Sequence, residues 1–419
     1  MRARLVGAAL AGVVLAAAGP AVPADATAAV PDRSSAAAIA APPVPCPAPA
    51  QATRPPRPPM PPGDPQLRTV GGAALATSGL VVPPGSPRPP AVTATSWLVA
   101  DLDTGAVLGG CGPHEVGTPA SVQKLLLVAT VLARLDPQQV VTVTRKDLEF
   151  EPGSSAVGLL VGGRYRVETL WLGLLLNSGN DAANVLARVG GGDAGLPGTM
   201  RAMNQQAHRL GAFQTRAVTP SGLDAPGQVT SAYDLALIAR ACFAQDAFRR
   251  YVATDRTQVP AQPPADVKGF QIQNQNQFLY RYPGALGGKT GFTTLARHTF
   301  VGAAQRNGRR LVVTLLGAEA RPLRGWQQGA ALLDWGFALP RDASVGRLVA
   351  PGEVTPTHSA PSGRAGFGGS PVASADDPAE PWWAGDWMVA AVAVALAATA
   401  MTPVISIRRR RRTRRGGRR

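Results

Sequence analysis

Ser121 and Lys124 stand three residues apart in "GTPASVQKLLLVATVLARL", a stretch that begins at Gly117. Residues i and i+3 share one face of a helix, so the amine can reach the hydroxyl and activate it as a nucleophile. A helix start favours a developing alkoxide, and the serine's own N–H can donate to an oxyanion. As structure the lysine is costly: Leu125, Leu126, Leu127, Val128, Val131 and Leu132 leave almost no polar face. Desolvation and a neighbouring cation push an amine toward neutrality, which makes it a base. A serine at a helix start is also an ordinary N-cap, so this pair alone decides nothing.

Two more groups are candidates for the same chemistry. Ser178-Gly179-Asn180 lies between two helical patterns in "LLLNSGNDAANVLA", and Lys289-Thr290-Gly291 lies in "GALGGKTGFT". Taken singly, the first is a capping turn and the second a strand edge. Lysine usage ties them together. Of 42 basic residues only four are lysine (Lys124, Lys146, Lys268 and Lys289), and two of these fall in the candidate groups. Arginine stays protonated in proteins, whereas a buried lysine can lose its proton.

The elements that must position these residues follow from hydrophobic periodicity. "SWLVADLDTGAVLGG" predicts two strands around a turn, and "HTFVGAAQRNGRRLVVTLLGA" a hairpin around "RNG". Between them "VETLWLGLLL", "DAANVLARVG", "MRAMNQQAHRLG" and "SAYDLALIARACFAQ" predict helices, and "GWQQGAALLDWGF" a closing helix. The Ser121 helix should stop at Asp136-Pro137. Strands at both ends with helices between predict an α+β domain built on an antiparallel sheet.

The 419 residues divide by composition. A basic n-region (Arg2, Arg4), an apolar run and "ADA" predict a signal peptide over 1–26. Residues 27–92 are rich in Pro and Ala and are expected as an extended linker. Residues 93–340 carry nearly all the periodic apolar pattern and form the expected catalytic domain. A Pro/Gly/Ser-rich linker is expected over 341–386. Residues 387–407 are expected as a transmembrane helix, with Trp382, Trp383 and Trp387 crowding its outer end. The tail, 408–419, holds nine arginines and should stay cytoplasmic, leaving the catalytic domain extracytoplasmic on a single-pass anchor. Those nine account for more than half of the net charge of +16, so the basic balance says little about the main domain. Because the tail abuts a membrane span, it is not read as a nucleic-acid site. Cys242 falls in a helical pattern as a buried thiol, so Cys46–Cys111 is the expected disulfide. With four scattered histidines and no HExxH or CxxC, neither a metal nor another cofactor is expected.

S-x-x-K, S-x-N and K-T-G in this order form the signature of penicillin-binding proteins and class A β-lactamases. The domain resembles the low-molecular-mass penicillin-binding proteins, serine-type D-alanyl-D-alanine carboxypeptidases of the DacA-like S11 type. The likeness runs from about Trp97 to Phe337 and extends to "VADLDTGAVL", "TPSGLDAPGQVTSAYDLALIAR", "NQNQFLYRYPGALGGKTGFT" and "LLDWGF". It implies the penicillin-binding fold, an antiparallel sheet flanked by helices with an all-helical subdomain. It also implies roles: Ser121 as acyl nucleophile, Lys124 as general base and Ser178 as proton relay. Asn180 would hold the substrate carbonyl and help position Lys124, Lys289 would supply charge, and Thr290 and Gly291 would bind the terminal carboxylate. Phe292 would lend its N–H to the oxyanion hole, and Arg324 is a further candidate for the carboxylate. The implied substrate is a peptidoglycan stem peptide ending in D-Ala-D-Ala, with β-lactams as covalent inhibitors.

Three alternatives remain. D,D-endopeptidase activity would use the same residues. A β-lactamase of class A would need a glutamate between the second and third motifs, and none occurs from Asp181 to Gly288. A non-enzymatic wall-binding scaffold would have no use for three intact motifs.

Overall fold

The strands expected at the two ends of the core pair with each other. In this computed structural model, which describes residues 42–50, 59 and 65–354, the chain begins with β1 (Leu80–Val81), β2 (Ser96–Asp101), β3 (Ala106–Cys111) and β4 (Val116–Gly117). Next come α1 (Lys124–Val131), β5 (Val140–Thr142), β6 (Arg164–Arg166), α2 (Val167–Leu176), α3 (Asn180–Gly190) and α4 (Gly195–Leu210). After β7 (Thr230–Ser231), α5 (Ala232–Phe243) and α6 (Asp246–Val252) come β8 (Arg256–Val259), β9 (Phe270–Gln273) and α7 (Gln277–Arg281). Three long strands follow, β10 (Ala285–Thr293), β11 (Arg297–Arg306) and β12 (Arg309–Ala318), then α8 (Gly325–Ala338) and β13 (Gly346–Arg347).

The main sheet is antiparallel throughout, in the order β1-β3-β2-β12-β11-β10, with β13 also on β3. Alternate residues feed two cores, as a period of two requires. Leu98, Ala100, Val301, Val312 and Leu316 join α1, α3 and α5 on one side. Trp97, Val99, Phe300, Val313 and Leu315 pack on the other with Leu332, Leu333 and Trp335 of α8. Both faces are covered, which is why these strands read as continuous apolar runs. Seven of the eight residues of α1 are buried, Lys124 among them. This is the all-round burial that its sequence, with almost no polar face, demands.

Two expectations change. The Pro/Ala-rich stretch is not a free spacer from 65 to 92. Val70, Leu75 and Val92 are buried, β1 pairs with β3, and Trp335 Nε1 donates to the Pro87 carbonyl at 2.8 Å. Extended, proline-rich backbone keeps its carbonyls free to accept, so it docks without any apolar periodicity. Residues 42–50 are held as well, by the Cys46–Cys111 disulfide and a 2.8 Å bond from Leu80 N to the Val44 carbonyl. Cys242 is a buried free thiol. Likewise 341–354 is part of the body: Leu348 and Val349 are buried, and Arg347 N donates to the Gly71 carbonyl at 2.8 Å.

The expected signal peptide, the membrane-spanning segment and the arginine tail lie outside the described residues. Among the described residues no helix is long and apolar enough to cross a membrane.

Candidate active site

Ser121 lies in a single 3-10 turn, Ala120–Gln123, that leads into α1. It is therefore not an N-cap: the residue before it, Ala120, has φ 49, a conformation that a non-glycine residue adopts only when its surroundings impose it. Two close approaches impose it here. Gly222 lies under the turn, where a Cβ would fall 1.8 Å from the Ala120 carbonyl oxygen. Gly291 of β10 lies beside it, where a Cβ would fall 2.7 Å from Ser121 N. The glycine of K-T-G is thus what lets the edge strand come up to the nucleophile's amide.

Lys124 is fully buried, and its Nζ has three oxygen neighbours. They are Ser121 Oγ at 2.9 Å, Asn180 Oδ1 at 2.7 Å and the Ser221 carbonyl at 2.8 Å. Burial, and then the charge of nearby Lys289, hold its pKa well below the ordinary lysine value. Lys289, on β10, donates to Ser178 Oγ at 2.9 Å and to the Thr290 carbonyl at 2.7 Å. Burial pushes its pKa down to about 7. Ser178 sits between α2 and α3 with φ 59, a second strained non-glycine residue at the site. Asn180 opens α3, is 2 % exposed, and turns Nδ2 to Ser154 Oγ at 2.9 Å.

These groups converge on a cleft of about 480 Å³ lined by Ser121, Ser178, Asn180, Thr290, Gly291 and Phe292. The Phe292 side chain is 54 % exposed on its rim, with the Arg297 guanidinium 5.7 Å from the ring centre. Arg324 is not among the lining residues. It lies just before α8 and borders a separate depression with Gln277, Arg281, Trp326 and Gln327. His298, which does line the cleft, has its pKa lowered chiefly by burial, with the charge of Arg324 the smallest of the causes.

The sequence did not single out Ser154, Ser221, Asp224 or His298. Ser221 acts through its main chain, which carries no side-chain signal. Asp224 accepts from Thr293 Oγ1 at 2.6 Å and from Leu295 N at 3.2 Å, and so holds the turn between β10 and β11.

The peptidase S11 family model, described as D-alanyl-D-alanine carboxypeptidase, matches residues 84–320. The chain belongs to this family. It is 46% identical over 274 residues to the D-alanyl-D-alanine carboxypeptidase DacB2 of Mycobacterium tuberculosis, covering 64% of this chain and 90% of that protein. With DacD of Salmonella typhimurium it shares 34% over 261 residues, 60% of this chain and 64% of that one. The crystal structure of a D-alanyl-D-alanine carboxypeptidase from M. tuberculosis superposes with a TM-score of 0.60 at 44% identity, over 64% of this chain and 100% of that one. The α+β penicillin-binding-type fold of the S11 peptidases is therefore the fold of this chain.

Proposed function

We propose that the protein is a serine-type D,D-carboxypeptidase that removes the terminal D-alanine from peptidoglycan stem pentapeptides. One observation carries the reading: a fully buried lysine amine 2.9 Å from the hydroxyl of Ser121 at the floor of an open cleft. Ser121 Oγ attacks the carbonyl carbon of the penultimate D-alanine while Lys124 takes the hydroxyl proton. The C–N bond breaks, and the departing amine receives a proton through Ser178, which Lys289 holds in place. Water then hydrolyses the ester. Backbone amides of Ser121 and Phe292 serve the oxyanion, and Asn180 serves the substrate's peptide carbonyl. Thr290, Gly291 and Lys289 take the terminal carboxylate. Arg324 contributes only at a distance, by its field.

β-Lactams should acylate Ser121 and stay bound. Of the two carboxylates that line the cleft, Asp224 is committed to Thr293 and Leu295, and Glu151 sits on an exposed loop. Neither is a buried base of the kind that speeds deacylation. The test is to give the full-length protein a stem pentapeptide ending in D-Ala-D-Ala and to assay free D-alanine. No release by the wild type, or undiminished release by Ser121→Ala, would sink the reading.

We also infer that the catalytic domain works outside the cytoplasm on a single-pass C-terminal anchor over 387–407. The signal-peptide pattern, the apolar run followed by arginines, and a disulfide between Cys46 and Cys111 support this. Protease added to wall-less cells should remove the catalytic domain and spare a tail epitope. Loss of the epitope would reverse the orientation.

A further inference from the structure

A neutral lysine amine has two N–H donors and one lone pair. Around Lys124 the Ser221 carbonyl and Asn180 Oδ1 accept only, so they take both N–H groups. The lone pair of a neutral amine is then left for the third neighbour, Ser121 at 2.9 Å, whose hydroxyl is free to donate into it. The arrangement works as a base only while Asn180 presents its oxygen. Were the amide turned over, its N–H would occupy the lone pair and Ser121 would lose its proton acceptor.

The amide orientation is set from outside the three motifs. Asn180 Nδ2 donates to Ser154 Oγ at 2.9 Å. Ser154 spends its only proton on the Glu151 carbonyl at 2.6 Å, so toward Asn180 it can only accept. Direction therefore runs one way, from Ser121 to Lys124 to Asn180 to Ser154 to a main-chain carbonyl, which cannot reverse. The loop that carries Ser154 is fastened to the start of α3. The buried Asp181 carboxylate accepts from the amides of Val157 (2.9 Å), Gly158 (2.9 Å) and Leu159 (3.1 Å). Asn180 N donates to the Ser155 carbonyl at 2.8 Å.

We propose that Ser154 is a positioning residue for the acylation step: held by Asp181, it fixes Asn180 so that Lys124 keeps its lone pair directed at Ser121. The proposal rests on the acyl-enzyme reading above and deepens it. Ser154 is only half-buried, so replacing it should leave the fold intact.

The test compares full-length wild type, Ser154→Ala and Ser154→Thr in their acylation by a fluorescent penicillin, alongside thermal melts. Ser154→Ala should acylate roughly tenfold or more slowly, toward the ~10²-fold that misplacement can cost, with an unchanged melting midpoint. Ser154→Thr keeps the hydroxyl and should recover most of the rate. A wild-type rate for Ser154→Ala would overturn the proposal, and so would a loss that threonine does not restore or that accompanies a lowered midpoint. Failure of the unsubstituted protein to label would instead overturn the acyl-enzyme reading itself.

Discussion

Thr299 Oγ1 donates a buried hydrogen bond of 2.8 Å to the carbonyl of Pro119, two residues before the nucleophile. Thr299 stands opposite Gly291 in the β10–β11 register. One hydroxyl therefore sets the distance between the K-T-G strand and the strained turn that carries Ser121. Thr299→Val keeps the shape and removes the donor. It should destabilise the protein by about 1–3 kcal/mol, the usual cost of a stranded buried acceptor. Acylation by penicillin should slow by roughly tenfold or more as the strand loses its stop. Stopped-flow labelling and denaturant melts check both numbers, and unchanged acylation would show that the glycine contact alone sets the spacing.

The two site lysines should respond differently to arginine. Lys124→Arg installs a group that cannot deprotonate, and the general-base contribution should vanish, roughly 10²–10⁴-fold in acylation rate. Lys289→Arg retains a cation and should lose mainly fit. Near wild-type acylation by Lys124→Arg would mean that another group takes the Ser121 proton.

The same lysines should shape the pH profile. Lys289, pushed down to about 7, is charged below that pH and neutral above it. Its charge attracts the substrate carboxylate, so KM should rise as pH climbs from about 7 to 9, and Lys289→Arg should flatten that limb. Lys124 must be neutral to act, so its lowered pKa places the rising limb of kcat/KM on the acid side. A KM for wild type that stays constant to pH 9 would show that carboxylate binding does not depend on Lys289.

Reduction of Cys46–Cys111 should weaken the fold without touching the chemistry. The bond closes a loop of 65 residues, for which the chain-entropy estimate is about 4 kcal/mol of stabilisation. The reduced protein should melt earlier yet acylate at an unchanged rate below its midpoint. A change in rate would place the arm in the catalytic machinery.

Much of this was legible because chemistry and periodicity both leave marks in a sequence. Ser121, Lys124, Ser178, Asn180 and Lys289 are reactive or polar residue types at fixed spacings, and the structure brings them together. The long β11–β12 hairpin and the buried α1 announced themselves by unbroken apolar runs. What stayed hidden left no such mark. Ser221 contributes a carbonyl, which every residue has. Ser154 matters through a direction of donation that only the folded loop defines. Arg324 had the right charge, but sequence does not say which depression a residue ahead of α8 borders. The arm over 65–92 packs by main-chain carbonyls and a few isolated apolar residues, without a repeat to detect.

Strand β3 receives the chain from both directions. The N-terminal arm is stapled to its Cys111 and paired along it through β1, while β13 pairs with its other end at Ala106 and Val107. β10 forms the opposite margin of the sheet, with β2, β12 and β11 in between. The N-terminal arm is thus seated on β3, with three strands between that seat and the strand of Lys289. Strain that enters through that arm meets the sheet at the side away from Lys289.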